Sequence, residues 1–278
     1  MTKIPTTNLP DGTSIPVFGM GTWKFTQGSA DHATELATLR QGFDLGVTLV
    51  DTAERYAAGG AEELVGDAIA GRRDQIYLVS KIMPSNASGE KAAEACEASL
   101  KRMKTDRIDL YLLHWREETP LEETVEAFER LKKDGKILRW GVSNFSIDDM
   151  IDLDALSKDC MVNQVLYNLS RRGIEYDLLA WSSSRSMPIM AYSPIEHGLL
   201  AQDPVVARIA SAHDATPAQV ALAWVMRRPE FLAIPKTSSP KRVVENLKSL
   251  ELKLTDAELK ELDLAFPPPQ AARPLETV

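Results

Sequence analysis

Three ionisable residues stand directly behind apolar runs: Asp51 behind TLV, Lys81 behind IYLVS and His114 behind DLYLL. A fourth residue, Tyr56, follows Asp51 by five positions in the small-residue loop ERYAAGG. A charge at the end of an apolar run is partly buried and needs a partner. If the runs are neighbouring strands, Asp51 and Lys81 can pair, His114 stands one strand further on, and Tyr56 can fold back over Lys81. An ammonium beside a phenol favours phenolate, so a lowered Tyr56 pKa is expected. Tyr56 then reads as a general acid, with Asp51 and Lys81 tuning it. His114 can donate a hydrogen bond to the same substrate oxygen. Such a set suits protonation of an oxyanion formed from a carbonyl. Singly, each residue has an ordinary structural role: a turn aspartate, a snorkelling lysine, a histidine bonded to backbone, a loop aromatic. Their coincidence at one place is what points to a site.

Carbonyl reduction needs a hydride source, and a second cluster suggests one. The glycine-rich dinucleotide fingerprint is missing, because GMGTWK has Gly19 and Gly21 but Lys24 where a third glycine should stand. The run IPKTSSPKRVVEN instead puts Lys236, Thr237, Ser238 and Ser239 at a helix start, with Lys241 and Arg242 in its first turn. Cations there oppose the helix dipole, whereas a bound anion reverses the sign. The cluster suits the 2′-phosphate of NADP(H) better than a bare ribose, so NADPH is the expected cofactor and NADH a weaker one. Tyr192 offers a flat face for a nicotinamide ring, and Ser143, Asn144 and Gln164 offer hydrogen bonds to its carboxamide.

The elements that must position these residues alternate from end to end. KIPTTNL and SIPV flank Asp11-Gly12 as a hairpin. Strands are then read in VFGMGTW, TLVDT, QIYLVSK, RIDLYLLHW, ILRWGVS, VNQVLYN, PIMAYS and FLAIPK. Amphipathic helices lie between them, including TPLEETVEAFERLKKDGK, opened by Thr119, Pro120 and Glu122, and IEYDLLAWSSSR. A capping box from Thr255 to Glu258 opens an additional last helix. The tail PPPQAARPLETV reads as a surface loop. Eight strand–helix units with short, continuous apolar strands predict an α/β fold, a (β/α)8 TIM barrel with an N-terminal β-hairpin and an extra C-terminal helix. No linker divides the chain, so one domain over 1–278 is expected. In such a barrel the strand C-termini build the active site, and the residues above all fall there.

The bulk numbers agree. A net charge of -8 argues against a nucleic-acid partner. No apolar leader or membrane-length run is present, so a cytoplasmic location without membrane association is expected. The two cysteines have no metal spacing, the four histidines form no HxH or HExxH, and no metal site is expected. Nothing such as a heptad run calls for an oligomer, and a monomer is expected.

From GMGTW to AFPPP the chain resembles the aldo-keto reductase superfamily, through GVTLVDTAERY, LVSK, DLYLLHW, GVSNF, NQVLYN, AYSP and IPKTSSPKRVVEN. DTAERYAAGGAEELVGDAI and RRGIEYDLLAWSSSRSMPIMAYSP are similar to its bacterial, methylglyoxal reductase-like branch. The resemblance implies NAD(P)H-dependent reduction of aldehydes or ketones by the tetrad Asp51, Tyr56, Lys81 and His114. It implies cofactor contacts from Gly21, Thr22, Trp23, Asp51, Ser143, Asn144, Gln164, Tyr192, Ser193, Lys236, Thr237, Ser238, Arg242, Glu245 and Asn246. It also implies a pocket for a small carbonyl substrate lined by Trp23, Tyr56, His114 and Trp115. Barrels of this kind also serve as non-enzymatic nucleotide-sensing subunits, the alternative reading. The segment after Tyr192 is too short for a long loop over the cofactor.

Overall fold

A computed structural model describes residues 4–28 and 30–278. Lys3, the first residue of the expected hairpin, lies outside them. The hairpin pairs β1 (Thr6–Asn8) with β2 (Ser14–Pro16). Gly12 supplies the left-handed backbone of its turn, φ 84°.

Eight parallel strands follow: β3 (Gly19–Gly21), β4 (Leu49–Asp51), β5 (Tyr77–Ile82), β6 (Leu110–Leu113), β7 (Trp140–Ser143), β8 (Cys160–Leu166), β9 (Ile189–Tyr192) and β10 (Phe231–Ala233). They neighbour one another in chain order. Parallel bridges from Phe18 to Ala233 and from Gly21 to Lys236 join the last strand to the first, closing the barrel. At that seam a Cβ on residue 21 would stand 2.9 Å from the Ile234 carbonyl oxygen, so Gly21 permits the closure.

The helices are α1 (His32–Asp44), α2 (Gly60–Ile69), α3 (Gly89–Met103), α4 (Leu121–Lys133), α5 (Ile147–Leu156), α6 (Leu178–Ser183), α7 (Pro204–Ala212), α8 (Pro217–Val225), α9 (Pro240–Leu247) and the additional α10 (Asp256–Ala265). Thr255 and Glu258 form the expected capping box. Two helix starts differ from the sequence reading. Thr119 does not cap α4; its hydroxyl donates to the Pro84 carbonyl. IEYDLLAWSSSR is not one helix but a turn over Gly173–Glu175 followed by α6. Asp177 leaves helical geometry there, at φ -139°, and its carboxylate accepts from the Leu178 amide, starting a new helix.

Two cores sandwich the strands. The outer one packs strands against helices. The inner one fills the barrel with Leu49, Val79, Leu110, Leu112, Val162, Met190, Leu232 and Ile234, and includes Leu9 and Ile15 from the hairpin. The hairpin therefore plugs the end of the barrel opposite the strand C-termini. The strand period of two now places the chemistry. Asp51, Lys81, His114, Gln164, Tyr192 and Lys236 each follow an inward apolar residue by two positions: Leu49, Val79, Leu112, Val162, Met190 and Ile234. All six are thus on the inward face, at the mouth. Ser80 is out of phase and faces the helices, where its hydroxyl donates to Glu62.

Candidate active site

Lys81 is completely buried and its ammonium spends three donors on three acceptors. These are Asp51 Oδ2 at 2.8 Å, the Thr52 carbonyl at 2.9 Å and the Tyr56 hydroxyl at 3.1 Å. Gln164 Nε2 donates to the other Asp51 oxygen at 2.8 Å, so both carboxylate oxygens are engaged. Burial would push Lys81 down, but the charges of Asp51 and Tyr56 and their hydrogen bonds override it, and the net shift is upward. The lysine stays cationic.

Tyr56 reaches this ammonium because the chain turns sharply behind it. Ala57 and Ala58 take left-handed backbone angles, φ 50° and 52°, and Gly59 follows at φ 94° before α2 begins. A Cβ on Gly59 would also collide with the Arg102 side chain, 2.5 Å away. Gly60, the last residue of the loop ERYAAGG as read from the sequence, is already helical at φ -61°.

The expected lowering of the Tyr56 pKa is overturned. Desolvation of the hydroxyl raises it, Lys81 lowers it, and Asp51 raises it again; the net direction is up. The sequence reading considered the ammonium without its carboxylate. Asp51 opposes the field that Lys81 presents, and burial, the largest cause, decides the sign. Tyr56 therefore keeps its proton at neutral pH, as a proton donor must.

His114 packs edge-on to Tyr56, with ring centroids 5.7 Å apart, and lies 4.7 Å from the Trp115 ring. Its Nδ1 is enclosed without a partner among the described residues, so Nε2 is the nitrogen that can meet a substrate oxygen. Burial, then Lys81 and Arg55, push its pKa down to about 2. The imidazole is neutral, which leaves it able to donate a hydrogen bond but with no acidic proton to give.

A cavity of about 580 Å³ opens over this cluster. Of the expected residues, Gly21, Trp23, Asp51, Tyr56, His114, Ser143, Asn144, Gln164, Tyr192, Ser193, Lys236 and Arg242 line it. Lys81 lies beneath them, and Thr22, 0 % exposed, bonds the Asp51 carbonyl. Trp115, Thr237, Ser238, Glu245 and Asn246 are not in its wall. Thr237 accepts from the Ser239 amide, Lys236 reaches toward the Ser238 hydroxyl at 3.4 Å, Glu245 pairs with Lys241 at 3.7 Å, and Asn246 is buried in α9.

Polar groups in the wall are already oriented. Asn144 donates to the His114 carbonyl and accepts from the Tyr192 hydroxyl at 2.8 Å. Ser143 donates to the Gln164 carbonyl. At the far side α9 starts at Ser239 with no side-chain cap. Burial pushes the nearby Lys236 ammonium down; Glu35 opposes this and Lys24 adds to it. An uncapped helix start with Lys236 and Arg242 in the cavity wall beside it fits a phosphate group.

Sequence reasoning missed Lys24, Gln27, Arg55, Pro194, Ile195, His197, Gly198 and Val278, all in the cavity wall. Arg55 had a signal, its place beside Tyr56. The loop behind Tyr192 is short as expected, yet it forms one wall because Asn168 bonds the Ser193 carbonyl and Arg171 pairs with Glu196. The tail does more than cover surface: Glu276 pairs with Arg171 and Val278 reaches the cavity. Nothing local in the sequence marks that return. Among the described residues, no cluster of His, Cys, Asp and Glu gathers to hold a metal, and no helix is long and apolar enough to cross a membrane.

An eight-stranded parallel barrel with a lysine-centred cluster beneath a cavity at its C-terminal mouth has the layout of a barrel enzyme's active site. The Aldo/keto reductase family model matches residues 17–265. The chain is 50% identical over 273 residues to methylglyoxal reductase YeaE of Escherichia coli, covering 95% of this chain and 96% of that one. It is 32% identical over 263 residues to a glyoxal reductase of Bacillus subtilis, covering 93% and 91%. An aldo/keto reductase of Klebsiella pneumoniae, solved in complex with NADP and acetate, superposes with a TM-score of 0.96 at 47% identity, covering 99% of this chain and 100% of that one. The chain belongs to the aldo/keto reductase family and is an oxidoreductase.

Proposed function

We propose that this enzyme reduces small aldehydes and ketones, methylglyoxal among them, to alcohols with NADPH. The observation that carries this reading is the Lys81 ammonium held between Asp51 and Tyr56, beside a neutral His114, at the floor of one cavity. Similarity to the methylglyoxal and glyoxal reductases supports the substrate class.

Arg242 and Lys236 would hold the 2′-phosphate, Ser193 the pyrophosphate, and Ser143, Asn144 and Gln164 the carboxamide, with Tyr192 against the ring. When bound, the reduced nicotinamide supplies the hydride. The chain does the rest. His114 Nε2 and the Tyr56 hydroxyl both donate to the carbonyl oxygen and orient it. Tyr56 gives its proton as negative charge develops there, and the Lys81 ammonium stabilises the phenolate left behind. The apolar barrel beneath excludes water from the pair.

NADPH oxidation by purified protein tests the reading, with methylglyoxal, aromatic aldehydes, sugars and diketones as substrates; no oxidation with any of them would overturn it. Two further results are expected. Arg242→Ala weakens NADPH binding by at least about tenfold through loss of a charge-assisted phosphate contact, and leaves NADH binding nearly unchanged. Equal losses for both cofactors in a binding titration would remove the 2′-phosphate assignment. Because the acid form of Tyr56 is the active one and its pKa is raised, reductive kcat/KM stays flat from about pH 6 to about pH 9. A fall with a midpoint near neutrality would show that the phenol is acidic after all.

A further inference from the structure

Arg55 adjoins Tyr56, lines the cavity and is exposed. Its guanidinium lies over the Trp115 ring, 5.0 Å from the centroid. Trp115 is fixed in turn by its indole N–H, which donates to Glu117 at 2.6 Å, and its ring packs against His114. Guanidinium, indole, imidazole and phenol thus form one continuous row ending at the proton donor.

The carboxylates nearest Arg55 in sequence are used elsewhere. Glu54 accepts from the Met83 amide at 2.6 Å and from Asn86 at 3.1 Å. Glu117 holds Trp115. Among the described residues no ion pair forms at Arg55. Nor does it belong with the cations placed for the cofactor phosphate. Trp115 follows β6, and β6 stands four strands around the closed ring from β10, where Lys236 lies. Arg55 leans toward β6, across the mouth from that cluster. Stacking on an aromatic face leaves the N–H edge of a guanidinium free, and that edge matches a carboxylate with two parallel hydrogen bonds.

We infer that Arg55 is a specificity-determining residue that selects carbonyl substrates carrying a carboxylate a few bonds from the reacting carbonyl. The carbonyl oxygen sits at Tyr56 and His114, and the carboxylate reaches across the same cavity to the guanidinium that Trp115 supports from outside the wall. This inference rests on the carbonyl-reductase reading above.

Succinic semialdehyde and its neutral methyl ester supply the test, because they share the aldehyde and differ in charge. The wild-type enzyme is expected to favour the acid in kcat/KM by at least about tenfold. Arg55→Leu collapses that ratio toward one, Arg55→Lys keeps part of it because the charge remains without the fork, and Arg55→Glu inverts it. Taking the ratio cancels any general effect of the substitution on Tyr56. Unchanged thermal unfolding of the variants confirms that the exposed substitution leaves the fold intact. An acid-to-ester ratio near one in the wild type, or a ratio that Arg55→Leu does not move, overturns the assignment while leaving the reductase reading in place. Turnover of neither compound, nor of methylglyoxal, removes both.

Discussion

Tyr56→Phe is expected to lower reductive kcat by about 10²–10⁴-fold, the range for losing a positioned general acid. NADPH affinity and the melting temperature should hardly change. Phenylalanine keeps the ring that packs edge-on to His114. Lys81 loses its longest hydrogen bond, 3.1 Å, but keeps Asp51 and the Thr52 carbonyl. Only the transferable proton disappears. His114 remains to orient a carbonyl, and being neutral it cannot take over as the acid, since its own pKa is pushed down to about 2. Stopped-flow or steady-state NADPH oxidation, with a parallel fluorescence titration of the cofactor, measures both halves. Turnover close to the wild type would place the proton donor elsewhere.

Lys81→Met carries the second large effect, and it falls on stability as well as rate. Lys81 is 0 % exposed and Asp51 is 2 % exposed, so removing the ammonium strands a carboxylate in a site closed to water. Breaking a buried pair from one side costs about 3–5 kcal/mol, which for a chain of this size lowers Tm by roughly 10 °C. Gln164 still donates to Asp51 and recovers only part of this. In Lys81→Met/Asp51→Asn the stranded charge is gone, so the double variant should be more stable than Lys81→Met alone; strict additivity in thermal unfolding would show that the pair does not interact as drawn. Reductase activity should not return with stability, because no cation is left to stabilise a tyrosinate. Together the two variants separate the jobs of the cluster. In the proposed mechanism Tyr56 carries the proton, while Lys81 holds the floor of the mouth together and supports the phenolate.

The same cluster shows how far the order of residues reaches. Asp51, Lys81 and His114 were legible because each ends an apolar run that reads as a barrel strand, although the two-residue phase that turns them inward and Ser80 outward emerged only with the packed core. Once eight strand–helix units are counted, the barrel and its mouth follow, and the strand-end residues must meet there. The extra helix was equally legible, because a capping box is a purely local signal. The break before α6 was not, because Asp177 could equally have continued a helix or capped a new one.

Signs and distances across the ring lay beyond the sequence. The direction of the Tyr56 shift depends on burial and on how closely Asp51 cancels Lys81, both set by packing. Arg55 became visible only when Trp115, from a strand two places away, came beneath it. Val278 joined the cavity through a chain return anchored by Arg171 and Glu276, with no periodic pattern to announce it. The sequence by itself determined which residues arrive at the barrel mouth, since apolar runs and strand order act locally. Only the tertiary structure decided what each residue does to its neighbours there, because electrostatic and desolvation energies depend on separations and solvent access that the chain acquires on folding.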